Sequence, residues 1–372
     1  MHLKNGTVLD DDFKFRVHDV HIDNGLIAQK SSENIDVDCT DCYVIPGLID
    51  IHTHGAMGCD CMDLSYEAVD TVSRYLAEHG VTSFLATIMT QSKEWLERSV
   101  ENIKEAKKQG VGGADIIGIY MEGPYFSVKY KGAHDEKYLR NPSCEEFEKL
   151  YKKSGNLINS VGVAPELDGA IEFIRREKER VNITVGHTDA DYDEAMSAIN
   201  AGANRLIHTF NAMRPFTHRS PNAIGAAFDS NIYCECICDG FHLSGCAVRL
   251  LYKVIGPERL VFITDAIRSA GMPDGKYVEF DGQEIVVKGG KSYTPDGVIA
   301  GGTSTLLECV KKAVEFGIPF ETAVMAASRN PAKATGVYSD RGSITVGKRA
   351  DLLILNKNFE IKNVLIGGKE IL

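Results

Sequence analysis

The sequence predicts an α/β protein, a closed (β/α)8 barrel of the TIM-like kind, carrying a small β-sandwich domain that both chain ends build together. Three observations carry that expectation. Between residues 43 and 328, eight short apolar runs alternate with helical patterns, as parallel strands joined by crossover helices do. The two flanks read differently, as short β segments broken by turn residues. And 372 residues are ample to bury one large core.

At the start of the chain Asn5-Gly6 and Asn24-Gly25 are turn dipeptides, with alternating residues at 13–22 between them. Candidate barrel strands follow at 43–51, 81–87, 115–122, 157–164, 182–187, 205–210, 233–238 and 259–264. Helical patterns lie between them at 66–79, 93–109, 144–153, 169–179, 190–200 and 245–254. After the last strand come a hairpin-like insert at 276–298, turning at Asp281-Gly282, and helices at 304–316 and 320–328. The segment GSITVGKRADLLIL at 342–355 reads as strand, glycine turn, strand, and 361–366 adds a further β run. Neither flank can bury a sheet alone, so 1–45 and 338–372 are expected to form the sandwich domain and 46–337 the barrel.

Composition excludes several classes of function. A formal net charge of -11 repels nucleic acid and anionic membrane surfaces, so an anionic small substrate would need a local basic pocket. No secretory leader pattern and no bilayer-length apolar run is present, and a cytoplasmic protein is expected. The ten cysteines lack a repeated CxxC pair, which favours reduced thiols over bridges or a zinc ribbon. Cys234, Cys236 and Cys238 alternate along one strand and should share one of its faces.

In a barrel of this type chemistry sits at the C-terminal strand ends. The first strand runs into His52 and His54, whose i, i+2 spacing lets both rings converge on one ion. The third delivers Glu122, the fifth His187, the sixth His208 and the eighth Asp265, while Phe241-His242 closes the seventh. Singly, each has a plain structural use: Glu122 in a loop ion pair, Asp265 as a helix cap. Jointly they gather at one rim, behind apolar runs with no structural need for them. Two loops there are basic, with Lys129, Lys131 and His134 in one and Arg214, His218 and Arg219 in the other, a donor set suited to phosphate.

These residues lie in PGLIDIHTHG (46–55), MEGPY (121–125), KGAH (131–134), GHTDA (186–190), HTFNAM (208–213), DGFH (239–242), TDA (264–266) and GKRADLLIL (347–355). On them the chain resembles the N-acetylglucosamine-6-phosphate deacetylases of the amidohydrolase superfamily. The resemblance implies a barrel of the metal-dependent hydrolase type and hydrolysis of the acetamide of N-acetylglucosamine 6-phosphate. It implies a divalent ion, zinc first with iron, manganese and cobalt as alternatives, at Glu122, His187 and His208, and a second site at His52 and His54. Asp265 is then the general base and acid, and His134 polarises the acetyl carbonyl. Arg219 and His242 would hold the phosphate with Asn211 and Ala212, beside Ala133, while Ile299, Ala300 and Gly301 line the sugar. It also implies a homodimer, with Arg219 reaching the neighbouring subunit's site. A cyclic-imide or dihydroorotate hydrolase is the competing reading, and would need no phosphate clamp.

Overall fold

The computed structural model describes residues 1–32 and 35–371. Eight strands make the barrel: β1 (Leu48–Thr53), β2 (Val81–Met89), β3 (Asp115–Tyr125), β4 (Ile158–Val163), β5 (Asn182–Val185), β6 (Arg205–Leu206), β7 (Tyr233–Ile237) and β8 (Leu260–Ile263). Each pairs in parallel with its neighbours in sequence, from β1 round to β8. The ring closes through the Asp265 N–H on the His52 carbonyl at 2.9 Å and the His54 N–H on the Ala266 carbonyl at 2.7 Å. Asp50 staples the same seam, its carboxylate accepting the Thr264 hydroxyl at 2.6 Å and the His52 N–H at 3.2 Å. Closure thus falls where candidate site residues stand.

Alternation along the strands divides the core in two. Ile49, Leu85, Tyr120, Ile207, Ile237, Val261 and Ile263 fill the barrel, while Phe84, Leu206, Cys234, Cys236, Leu260 and Phe262 face the helical layer. The cysteines of β7 share one face as expected, and all ten are free, although Cys246 is exposed.

The run at 43–51 is not one strand. Tyr43–Pro46 pairs with His2–Leu9 and Leu352–Leu355 in the terminal sheet, and β1 begins only after Gly47. Pro46 has no N–H to continue a ladder, and a Cβ at Gly47 would lie 2.3 Å from Thr82. One apolar run therefore feeds two sheets.

The flanks pack together through one mixed sheet of eight strands around Leu3, Val8, Val20, Ile22, Val44, Leu352, Ile354 and Leu365. The sheet is continuous and folds over this core: the edge strand Leu26–Ala28 meets the far side where the Ile27 N–H reaches the Lys348 carbonyl at 2.8 Å.

A helix at Asn222–Phe228, between β6 and β7, was not expected. Its seven residues NAIGAAF are mostly buried and apolar all round, so no amphipathic period marks it. A short helix at Arg329–Ala334 escaped notice likewise. The insert is three strands rather than a hairpin, Gly275–Val278, Glu284–Lys288 and Lys291–Tyr293, with the expected turn at Gly282, φ +89°. No helix among the described residues is long and apolar enough to cross a membrane.

Candidate active site

Three of the candidate site residues stand two residues beyond the last laddered residue of their strand. β5 ends at Val185, β6 at Leu206 and β8 at Ile263, and His187, His208 and Asp265 follow with φ of 44°, 20° and 50°. A left-handed backbone at a non-glycine residue costs on the order of 1–3 kcal/mol. Hydrogen bonds hold each turn: the Ser127 N–H on the His187 carbonyl, the Thr209 N–H on the Glu235 carbonyl and the Asp265 N–H on the His52 carbonyl, all at 2.9 Å. The flip turns each side chain into the barrel mouth. It also explains why these strands are shorter than the sequence suggests.

β1 uses a bulge to the same end. Asp50 pairs with Phe84 and Thr53 with Ala86, so Ile51 and His52 both stand opposite Leu85 alone. His52 is thereby kept inward, its ring edge-on to Tyr120 at 4.8 Å, and His54 follows it, the two centroids 5.4 Å apart.

The side chains converge as two groups sharing Glu122. Glu122 Oε1 lies 3.2 Å from His187 Nε2 and 3.3 Å from His208 Nε2, and those two nitrogens are 3.0 Å apart. On the other side His54 Nε2 approaches Glu122 Oε2 at 3.3 Å and Asp265 Oδ1 at 3.2 Å, and His52 Nε2 lies 3.3 Å from Glu122 Oε1 and from Asp265 Oδ1. Imidazole nitrogens and carboxylate oxygens this close, buried but for the half-buried Asp265, form a donor set for divalent cations, and His52 Nε2 has no hydrogen-bond partner. The residues present therefore fit a metal ion, in either group.

Electrostatics divide the labour. Burial pushes the Asp265 carboxyl up, but the charge of His52 and a hydrogen bond from His54 outweigh it and hold the group at about 2. Burial and the neighbouring His187 depress His134 to about 3, so its ring is neutral. Its Nδ1 accepts the Thr90 N–H at 3.4 Å, which leaves the proton on Nε2, 3.6 Å from Glu122 Oε2. His134 is thus a neutral donor facing the ligand group.

Above this floor opens a cavity of about 370 Å³. Ala133, His134, Asn211, Ala212, His242, Ile299, Ala300 and Gly301 line it together with His54, Glu122, His187, His208 and Asp265. His242 sits in the loop beyond β7, where Asp239 Oδ2 holds its Nδ1 at 2.7 Å and leaves Nε2 for a ligand. A Cβ at Gly301, φ +98°, would meet Ile267 at 2.7 Å. His52 lies beneath the lining, fully buried.

Arg219 is the exception among the expected residues: it is exposed on its loop and does not line the cavity. Of the other basic candidates, Lys129 pairs with Asp189 at 2.8 Å, Arg214 lies 3.8 Å from the same carboxylate, and Lys131 reaches the His134 carbonyl at 3.2 Å. None of these lines the cavity either.

Sequence reasoning missed the opposite wall, made by Asp60, Met89, Glu279, Gln283 and Ile285. Burial raises the Asp60 carboxyl to about 6, and burial with the charge of Asp60 raises Glu279 to about 8. Asp60 follows closely on the His52–His54 pair, a usable signal. Glu279, Gln283 and Ile285 come from the insert, whose local pattern says nothing of where it docks. Arg205 and Glu235, fully buried inside the barrel, were missed as well, although a lone carboxylate in CECIC is conspicuous.

Comparison with known proteins agrees with this geometry. The amidohydrolase family model matches residues 43–371. The chain is 38% identical over 329 residues to the N-acetylglucosamine-6-phosphate deacetylase of Vibrio furnissii, covering 88% of this chain and 82% of that one. It is 34% identical over 356 residues to the N-acetylgalactosamine-6-phosphate deacetylase of Escherichia coli O157:H7, covering 95% and 94%. Among solved structures, a mutant N-acetyl-D-glucosamine-6-phosphate deacetylase from Mycobacterium smegmatis, in complex with N-acetyl-D-glucosamine-6-phosphate, superposes with a TM-score of 0.93 at 30% identity over 100% of this chain and 99% of that one. Sequence, fold and ligand geometry agree: the chain belongs to the amidohydrolase family, among its N-acetylglucosamine-6-phosphate deacetylases.

Proposed function

We propose that the protein hydrolyses the acetamide of N-acetyl-D-glucosamine 6-phosphate to D-glucosamine 6-phosphate and acetate. The observation that carries this is the meeting of Glu122, His187 and His208 within 3.0–3.3 Å under a cavity that His134 and Asp265 also line. Glu122, His187 and His208 would hold one divalent ion, and His52 and His54 a second, with Glu122 between them. Nitrogen and carboxylate donors suit zinc first, with iron, manganese and cobalt next. Such an ion supplies Lewis acidity, making water a better nucleophile at neutral pH and polarising an acyl oxygen.

The chain's own groups do the rest. Asp265, a carboxylate at neutral pH and hydrogen-bonded to His54, accepts the proton of the attacking water and returns it to the departing sugar amine. His134 donates from Nε2 to the acetyl oxygen as it gains charge, and burial keeps competing water away. His242, preset by Asp239, offers Nε2 to the 6-phosphate, with Asn211 and the Ala212 amide beside it. Ile299, Ala300 and Gly301 flank the sugar, next to Ala133.

Because Arg219 is exposed and outside its own cavity, we read it as completing the phosphate clamp of a neighbouring subunit in a homodimer. We read 46–337 as the catalytic barrel and 1–45 with 338–372 as the domain supporting it, working in the cytoplasm on amino-sugar breakdown. The test is acetate release from N-acetylglucosamine 6-phosphate, its galacto epimer and unphosphorylated N-acetylglucosamine, with and without chelator. Chelator-sensitive release from the phosphorylated gluco sugar is expected. No release after metal is restored would overturn the reading.

A further inference from the structure

Glu235 has no place in the chemistry above, yet it is wired to both ligand groups. It sits on β7 in the segment CECIC, where its neighbours Cys234 and Cys236 face the helices, so alternation turns Glu235 into the barrel. Arg205 lies on the adjoining strand, in register with Tyr233, and both charged side chains are fully buried. Arg205 Nε stands 2.8 Å from Glu235 Oε1, with the guanidinium 5.5 Å over the Tyr120 ring. Apolar residues of the same volume serve stability at least as well as a buried ion pair. Its use must be sought in what the second oxygen does.

Glu235 Oε2 lies 3.1 Å from His52 Nδ1 and 3.2 Å from the His208 backbone N–H. A carboxylate paired with a guanidinium can only accept, so His52 must donate from Nδ1. With an ion bound the ring is neutral, which leaves the lone pair for it on Nε2, the atom 3.3 Å from both Glu122 and Asp265 and without a hydrogen-bond partner. The same oxygen holds the backbone of His208 in its left-handed turn. One carboxylate thus orients a ligand of each group.

We propose that Glu235, held by Arg205, is a positioning residue of the active site: it fixes the His52 ring so that Nε2 faces the ion and anchors the turn that presents His208. The proposal rests on the reading that His52 and His54 hold a second ion. Outer carboxylates that orient a ligating histidine typically change metal affinity about 10–100-fold when removed.

Glu235→Gln keeps the shape and separates the roles. Its amide oxygen stays with Arg205, so the NH2 turns to His52 Nδ1, which must then accept, moving the ring proton to Nε2. Zinc content of the full-length protein, dialysed against graded free zinc, should show two ions in wild type. Glu235→Gln should bind the His52–His54 ion about 10–100-fold more weakly, as His52→Asn should, and weaken the tight ion less, since the same NH2 also faces the His208 N–H. Equal affinities in wild type and variant, or loss of both ions in step, would overturn the proposal.

If wild type takes up one ion only, the two-ion reading fails by itself, and nitrogen-15 NMR of the zinc-loaded, histidine-labelled protein decides on Glu235 independently. A proton on His52 Nδ1 in wild type, lost in Glu235→Gln, supports the positioning role. An unprotonated Nδ1 in wild type overturns it, and that measurement stands even if the variant does not fold.

Discussion

At the floor of the cavity Glu122, His187 and His208 are each no more than 5% exposed and converge within 3.0–3.3 Å, whereas at the rim Arg219 stands in solvent and touches none of them. The floor is set by backbone: strand ends, a bulge at Ile51–His52 and left-handed turns leave its side chains little freedom. The rim is set by loops, on which Asp239 fixes the His242 ring. On the function proposed above, the difference teaches that one barrel pre-organises bond cleavage by itself, while recognition of the phosphate is completed by a group brought in from outside.

Four experiments break or sharpen that contrast. Chelation, or Glu122→Gln, strikes the floor and should abolish acetate release, with zinc restoring it only in the chelated wild type. Persistent turnover in Glu122→Gln would mean that the floor is not the site. Asp265→Asn should lower kcat by about 10²–10⁴-fold while metal content by elemental analysis stays near wild type. A parallel loss of metal would reassign Asp265 from proton transfer to ligation.

At the rim, Arg219→Leu removes a charge-assisted contact worth about 1.5–3 kcal/mol, or roughly 10–100-fold in kcat/KM for the phosphorylated sugar. The unphosphorylated sugar should be barely affected. Co-expressing Arg219→Leu with Asp265→Asn chains should restore activity, since a mixed dimer joins an intact floor to an intact arginine. No restoration would place Arg219 in its own subunit's site.

The smallest effect concerns the wall opposite. Burial and Asp60 hold the Glu279 carboxyl at about 8 in the folded protein, against an ordinary 4.5. The folded state then keeps a proton that the unfolded chain releases, so this group's contribution to stability is lost as pH rises from about 4.5 to about 8. Glu279→Gln should raise Tm at pH 8 more than at pH 5, and equal shifts at both would show that Glu279 titrates normally.

Much of the floor was legible because it lies on repeated grammar, an apolar run followed by a histidine or carboxylate. Glu122, His187, His208 and Asp265 are visible in that way, and His52 with His54 by spacing alone. What was illegible depends on closure in space. The bulge at Ile51–His52 exists only against Leu85, and the split at Gly47 only because Leu352–Leu355 pairs with Tyr43–Pro46. Glu279 and Gln283 matter only because the insert docks over the barrel mouth. The helix Asn222–Phe228 is invisible to periodicity because it is buried on nearly every side.

The seat of Tyr43–Pro46, between His2–Leu9 and Leu352–Leu355, bears on synthesis. Leu352–Leu355 is synthesised long after Tyr43–Pro46, so until it emerges the segment leading directly into β1 offers a bare strand edge. Such an edge invites pairing with another nascent chain. Products that stop short of Leu352 should therefore clump or be degraded rather than persist as partly working enzyme, which makes the arrival of Leu352–Leu355 a checkpoint for the barrel as well.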